Sequence, residues 1–400
     1  MKFKDSNNPS KRLCLALLML PLLNGCIEDD DPKITIDPPP SDAGHAIIAT
    51  VASDFSSGAT SVATVDKPRV IVNAISPTIS DITVTTDGKN IYRIERFMAD
   101  NIAKFSVTNP DVAIWQYSTL DDGEAGSSNP HDFVVASDTK GYILRYGKAK
   151  AWVVNPSASS AEEFKTGEID LAVYDADGIP NMTKGIIVNG KLFIAMQALD
   201  EFWAPGLAHI AVIDVATNTE IDTGISVNPL INGIPIPIKG PEDMLYSVET
   251  GKIYIQGSGQ LGFGVNDGVY DGGIITLDPD TYELEMIVDD GPSDSVTPPY
   301  GNITELAIVS PTKGYFVGYN SWGDNTLYSF NPTTKEVTST AVADIYAKNI
   351  GDIEVDSLGL LWVSSKSDFG VIVIDPATDT REDQIISTGS LTPGKIVFTQ

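Results

Sequence analysis

One local pattern recurs seven times along this chain: an apolar run of strand-forming residues ends in Asp or Asn, usually with Pro or Thr within three residues. It stands at Val65-Asp66, Thr108-Asn109-Pro110, Val154-Asn155-Pro156, Ile213-Asp214-Val215-Ala216-Thr217, Leu277-Asp278-Pro279, Phe330-Asn331-Pro332 and Ile374-Asp375-Pro376-Ala377-Thr378. The Asx positions are 43, 46, 59, 64, 53 and 44 residues apart. An Asx side chain hydrogen-bonds the backbone two residues on and proline presets φ, so each marker reads as a turn and not as a catalytic group. Past residue 45 a 3.6-residue period is almost absent. Short β-rich runs bounded by Gly, Asn, Asp and Pro take its place, about four per repeat.

The fourth repeat can be read in full, with strands a to d over Lys184–Asn189, Lys191–Gln197, Ala208–Val215 and Thr219–Ile225 and a tight a–b turn at Val188-Asn189-Gly190-Lys191. Equivalent a–b turns stand at Asp87-Gly88-Lys89, Glu249-Thr250-Gly251-Lys252 and Pro311-Thr312-Lys313-Gly314. The first repeat supplies only three strands, Ala46–Ser53, Thr60–Asp66 and Arg69–Ile75, while Gly394–Thr399 is a strand with nothing after it. The expectation is an all-β, seven-bladed β-propeller of four-stranded blades, its ring closed by the C-terminal strand joining the N-terminal blade. Closure removes the sheet edges that would otherwise template aggregation.

The strand-c ending Ala211-Val212-Ile213-Asp214-Val215-Ala216-Thr217-Asn218 resembles the repeats of bacterial seven-bladed propellers of the YVTN or YncE-like type. The resemblance covers about residues 46–400 and is specific for architecture, since propellers host binding modules, scaffolds and enzymes alike. Similar lipoprotein propellers serve outer-membrane assembly or accompany transporters in capturing metal chelates. The resemblance therefore implies either an outer-membrane protein or transporter partner, or a small ligand such as a metal chelate.

The N-terminus reads as an address. Lys2, Lys4, Lys11 and Arg12 precede the 11-residue apolar run Leu13–Leu23, too short to span a bilayer. Leu23-Asn24-Gly25-Cys26 resembles the bacterial lipobox, with an aliphatic residue three before the cysteine and a small one directly before it. The expected organisation is a signal peptide over 1–25, a lipidated Cys26 heading an acidic, Pro-rich tether over 26–45, and the propeller over 46–400. The tether, with Glu28-Asp29-Asp30-Asp31-Pro32 and Pro38-Pro39-Pro40, reads as a self-repelling spacer. Ile27 after the cysteine resembles outer-membrane sorting, and the acidic cluster resembles a surface-export signal, so the expected place is the outer membrane, facing the periplasm or the cell surface.

Charge narrows the partners. Twenty-six Lys and Arg against 54 Asp and Glu give a net charge of −28, which opposes phosphate backbones, so no nucleic-acid partner is expected. The only cysteines are Cys14 and Cys26, so neither disulfides nor a Cys-based zinc site organises the fold.

In a blade the a–b and c–d turns open on one face and the b–c loops and d–a connections on the other. The second set is long here: Ala198–Leu207, Ser258–Gly272 and Gly318–Asn325 between strands b and c, and Thr119–Pro130, Val227–Glu242 and Asp290–Asn302 between blades. Binding sites are usually built on such loops. Trp115, Trp152 and Trp362 fall in strands and are expected to pack between blades, whereas Trp203 and Trp322 fall in the loops with Phe202, Phe263, Tyr270, Tyr300 and Tyr319. Except for Tyr300, these loop aromatics are the expected ligand contacts, and loop packing is the alternative reading.

The long b–c loops carry Asp200, Glu201, Asp267, Asp271 and Asp324, whereas the second and third blades carry Arg96, Arg145, Lys148 and Lys150. A basic arc with Arg96, Arg145 and Lys148 would suit an anionic aromatic chelate. The acidic arc would suit a divalent metal ion, with Asp267, Asp271 and His131 as expected ligands. Gly257–Gly262 matches GxGxxG without a following helix, and Asp175-Ala176-Asp177-Gly178 lacks the rest of a calcium loop, so both read as turns.

Two function classes follow. The first is a non-catalytic, membrane-anchored binding propeller using its long-loop face. The alternative is a metal-assisted, lactonase-like hydrolase, whose candidates at the strand-a entrances are His131, Glu242 and Asn302.

Overall fold

The computed structural model describes residues 38–262, 268–293 and 298–399. The expected signal peptide, Cys26 and the expected tether up to residue 37 lie outside the described residues, as do Phe263 and Asp267. Within the described residues the chain forms seven antiparallel sheets, one per repeat, with the strand order expected of blades.

Blade 1 holds His45–Ala52, Gly58–Thr64 and Ile71–Thr78, and Leu391–Phe398 adds to it as the innermost strand, pairing Ile47 with Val397. The closing strand thus takes position a, and the chain's first strand takes position b. Blade 2 comprises Ile82–Thr86, Asn90–Glu95, Asn101–Ser106 and Asn109–Ser118, and blade 3 comprises Pro130–Ser137, Lys140–Arg145, Lys150–Val154 and Lys165–Asp170. Blade 5 comprises Pro241–Ser247, Lys252–Gly257, Gly273–Leu277 and Leu284–Val288. Each innermost strand lies beside those of both neighbouring blades, which closes a ring around an axial channel.

The outermost position departs from the expected regular strand in three blades. In blade 4, after Met182–Val188, Lys191–Met196 and His209–Asp214, it is divided between Thr219–Glu220 and Ile234–Pro235, because Gly224, Pro229 and Gly233 interrupt the run between them. Blade 7 repeats the device: Ile350–Val355, Leu361–Ser365 and Gly370–Asp375 are flanked by Thr380–Arg381 and Ile386–Ser387. In blade 6, Asn302–Ser310, Lys313–Ser321 and Asp324–Phe330 are bordered only by the bridges Phe330–Val337 and Asn325–Lys348. The supposed long loop Gly318–Asn325 is instead a hairpin: Gly318 pairs with Thr326, Ser321 pairs with Asp324, and Trp322-Gly323 form the tip, with Gly323 at φ +81°.

The apolar strand faces fill the space between blades. Tyr92, Ile94 and Trp115 of blade 2 pack on Phe133, Ile143 and Trp152 of blade 3, and Trp362 of blade 7 packs on Ala46, Ile48 and Ala63 of blade 1. All three strand tryptophans are therefore inter-blade core, as expected. Five of the seven markers cap their own turn: Asn155, Asp214, Asp278, Asn331 and Asp375 each accept a main-chain N–H two or three residues on. Asp66 instead accepts the Ser41 hydroxyl at 2.8 Å and the Ala43 N–H at 2.9 Å, fastening the residues before the first strand to blade 1.

Candidate functional site

Six of the seven innermost strands slip register in their first half, and those of blades 3 and 6 slip again near their end. The extra residues of the first slips are His131, Thr183, Glu242, Thr304 and Gly351, with Gly394-Lys395 in the closing strand; Ile82–Thr86 of blade 2 pairs without a slip. A β-bulge turns a side chain out of the pleat. Here each bulge brings an ionisable residue to the strand entrance: Asp132, Lys184, Asp243, Glu305, Asp352 and Lys395. All except Asp352 line one axial cavity of about 340 Å³, together with Arg96, His131, Tyr146, Gln197 and Glu242.

Two pairs in this ring share one geometry. Asp132 Oδ2 accepts the N–H of Gly185 on the next blade at 3.0 Å and stands 3.7 Å from the Lys184 ammonium. Asp352 Oδ2 likewise accepts the N–H of Ile396 at 2.6 Å, while its Oδ1 accepts from Lys395 Nζ at 3.0 Å. A carboxylate on one inner strand thus holds both an amide and an ammonium of the following one. Burial opposes the charge on Lys395, but Asp352, Asp243, Glu354 and Glu305 outweigh it and hold the ammonium well above its usual range.

Among the described residues the remaining acids accept no main-chain N–H from the following strand, and Glu354 stands 3.6 Å from the Lys395 ammonium. Burial pushes Glu305 well above the carboxylate range, with Asp352 adding to the shift. It pushes Glu354 up to about 7, against the pull of Lys395. Glu242 is also raised to about 7: channel water reaches it, but protein surrounds it, and Ser258 and Gln197 offset the dehydration only in part. His131 lies flat on Tyr146 with ring centroids 4.0 Å apart, and burial holds its pKa well below the usual value.

Two further cavities flank the axial one and share lining residues with it, so a trough crosses the channel mouth. On one side, Arg96, Glu305 and Lys395 also line a cavity of about 830 Å³ that reaches Phe55 and Trp322. On the other, Tyr146, Gln197 and Glu242 also line a groove of about 500 Å³ between blades 4 and 5, walled by Phe202, Trp203, Ser258 and Gln260. Both open among b–c loops and d–a connections.

The loop bearing Phe202 and Trp203 is built around Asp200. The Asp200 carboxylate accepts the N–H groups of Phe202 at 2.8 Å and Ala204 at 2.9 Å, and its carbonyl accepts that of Trp203 at 3.0 Å. Trp203 is 72% exposed and Phe202 67%, and Trp203 has φ +64°. A bulky side chain on left-handed backbone is strained, and such strain concentrates at binding sites.

The structure separates residues that the sequence grouped. Trp203 and Trp322 line different cavities. Tyr270, in the blade 5 loop, and Tyr319, paired within the blade 6 hairpin, line none of the three. The basic arc is not available to an anion as expected. Arg145 is 1% exposed, lies over Trp152 and is paired with Glu124; Lys148 donates to the Ala125 carbonyl at 2.6 Å; Arg96 pairs with Asp81 at 2.6 Å but still lines the trough. In so acidic a protein, carboxylates on nearby loops had already claimed these cations. Gln197, Glu305, Lys366 and Phe55 escaped sequence reading. The available signal was an ionisable or amide group set at the end of an apolar strand.

The expected metal site does not assemble from the described residues. Asp271 pairs with Lys239 at 2.9 Å and does not line the cavity that holds His131. Asn302 donates its amide to the Ser258 and Val269 carbonyls. Among the described residues no three His, Cys, Asp or Glu side chains gather closely enough to hold an ion.

No family model matches the chain, and no curated protein matches it significantly. Solved structures do. A quinonprotein alcohol dehydrogenase-like protein from Bacteroides thetaiotaomicron matches with a TM-score of 0.53 and 11% identity, over 90% of this chain and 78% of that one. A streptogramin B lyase matches at 0.52 and 12%, over 82% and 92%. Apo AztD from Citrobacter koseri matches at 0.50 and 13%, over 89% and 98%. At these identities the likeness is one of fold, the propeller.

Proposed function

We propose that this chain is a non-catalytic binding propeller, lipid-anchored at Cys26 in the bacterial outer membrane and akin to the YVTN or YncE-like lipoproteins, that captures a small ligand in the groove between blades 4 and 5. The observation that carries this reading is Trp203, held exposed on strained backbone by Asp200 at the mouth of that groove. A rigid, pre-formed aromatic wall lowers the ordering cost of binding. The described lining residues include Glu242 and no Lys or Arg, which favours a neutral or cationic ring-bearing molecule, such as a metal chelate with an apolar rim, over an anionic one.

Trp203→Ala and Phe202→Ala are expected to abolish retention of the ligand that co-purifies with the full chain while the near-ultraviolet circular dichroism of the core tryptophans is unchanged. Retention at the wild-type level in both variants would refute the groove. For the anchor, Cys26→Ser is expected to abolish incorporation of a labelled palmitate analogue and release the protein from outer-membrane fractions. Unaltered labelling would refute it.

The hydrolase alternative retains His131 and Glu242, which share the axial cavity, but its third candidate, Asn302, is engaged with backbone carbonyls. A docked envelope protein in place of a small ligand would appear in the same purification as a stoichiometric second chain.

A further inference from the structure

Two exposed aromatic rings from blades that are not neighbours meet above the channel mouth. Phe55, 62% exposed, comes from the b–c loop of blade 1; Trp322, 66% exposed, comes from the tip of the blade 6 hairpin. Their centroids are 6.5 Å apart with the planes at 57°. Blade 7 stands between them in the ring, but its own b–c connection is only the turn Lys366–Asp368, so the taller hairpin of blade 6 can reach across. Phe55, like Trp203, sits on left-handed backbone, at φ +59°. Its N–H is tied to the Ala52 carbonyl at 2.8 Å, and Asp54 accepts from the Ser56 N–H and hydroxyl. A second bulky ring is thus held out to solvent at conformational cost.

Beneath this pair lies the cavity of about 830 Å³, within the range of small-molecule sites. Val51, Ile82 and Pro393 give it apolar walls, and three cations line it. Arg96 is paired with Asp81, and Lys395 with Asp352. Lys366 differs: among the described residues its ammonium has no hydrogen bond and no ion pair, although it is partly buried. Burial holds its pKa below the usual value, and Glu305 and Asp352 offset this only in part. A partly dehydrated cation without a partner is costly until an anion meets it, and a charge-assisted bond formed there is stronger than one in water.

We propose that this cavity is a second ligand site, separate from the Trp203 groove, for a planar ring-bearing anion such as an aromatic carboxylate, with its ring against Phe55 and Trp322 and its charge on Lys366. Glu305 lines the same cavity, and burial, with Asp352 adding to it, holds its carboxyl well above the carboxylate range, which weakens its opposition to an anion. The single unpaired ammonium and the two rings favour this class over a bare phosphate, which would call for several free donors.

The test is titration of the full chain near neutral pH with 2-naphthoate and its uncharged counterpart 2-naphthamide, read by calorimetry and tryptophan fluorescence. Wild type is expected to bind the naphthoate more tightly than the amide. Lys366→Gln is expected to weaken naphthoate binding by about tenfold or more and leave the amide unchanged, and Lys366→Arg to restore it. Trp322→Ala weakens both compounds, and Trp203→Ala neither. Lys366 has no partner to lose and its dehydrated charge is costly, so the unfolding midpoint of Lys366→Gln should be no lower than that of wild type, and Lys366→Met serves as a second variant of similar length. The proposal is overturned by absence of naphthoate binding, by equal affinity in wild type and both neutral Lys366 variants, or by loss confined to Trp203→Ala, which would move the anion to the other groove.

Discussion

The carboxylate of Asp352, on the inner strand of blade 7, accepts the main-chain N–H of Ile396, on the closing strand, at 2.6 Å. With Lys395 on its other oxygen, Asp352 locks the last strand of the chain into the ring it completes. The group is 1% exposed, so its loss leaves the Ile396 amide buried without its acceptor and the Lys395 ammonium with Glu354 alone, at 3.6 Å.

Asp352→Ala is therefore expected to destabilise the protein by about 3–5 kcal/mol, since breaking one side of a buried pair costs far more than the pair contributes net. Equilibrium urea unfolding measures it. A loss below about 1 kcal/mol would place the pair in the class of surface ion pairs.

Removing residues 391–400 should do more than destabilise. It strips blade 1 of its inner strand, bares the edge of His45–Ala52, and takes a neighbour from the inner strands Ile82–Thr86 and Ile350–Val355. Size-exclusion chromatography is expected to show aggregates in place of a monomeric peak.

The core tryptophans and the loop tryptophans should part ways. Trp362 is fully buried and donates its indole N–H to Asp356 at 2.8 Å, so Trp362→Ala is expected to cost about 3–5 kcal/mol. Trp203→Ala should leave stability within about 0.5 kcal/mol of wild type, as exposed substitutions do. Thermal midpoints of the two variants check both.

How much of this was legible follows from where each signal is stored. Turns are local chemistry, so Asp278 or Asn331 could be read from its own neighbours, and seven such turns counted the blades and required the closing strand. Bulges are not local. Whether Glu242 or Thr304 is the extra residue depends on the partner strand's register, which is why the ring Asp132, Lys184, Asp243, Glu305, Asp352 and Lys395 stayed hidden. Charge pairing is non-local as well: Arg145 reads as a free cation until the connection between blades 2 and 3 brings Glu124 against it. Trp203 was found as an exposed loop aromatic, but its separation from Trp322 required knowledge of which blades face each other.

The raised acids give a pH dependence with a definite sign. Glu242, near its ordinary value in the unfolded chain and at about 7 in the fold, binds its proton more tightly when folded. Its contribution to stability is full below the unfolded value, falls as pH rises towards 7, and stays lost above it. Glu242→Gln removes that penalty. Relative to wild type, the variant's thermal midpoint is expected to rise between mildly acidic and mildly alkaline buffer; a difference independent of pH would mean that Glu242 is fully solvated.

The central claim is ligand capture in the groove at Trp203, and native mass spectrometry of the full chain, gently extracted from the membranes in which the proposed anchor would hold it, tests it most directly. Wild type is expected to carry a small molecule or chelate in addition to the proposed lipid, and Trp203→Ala, equally folded, to carry that lipid alone. The same adduct on both proteins, or a chain bearing nothing but lipid in each, would contradict the account.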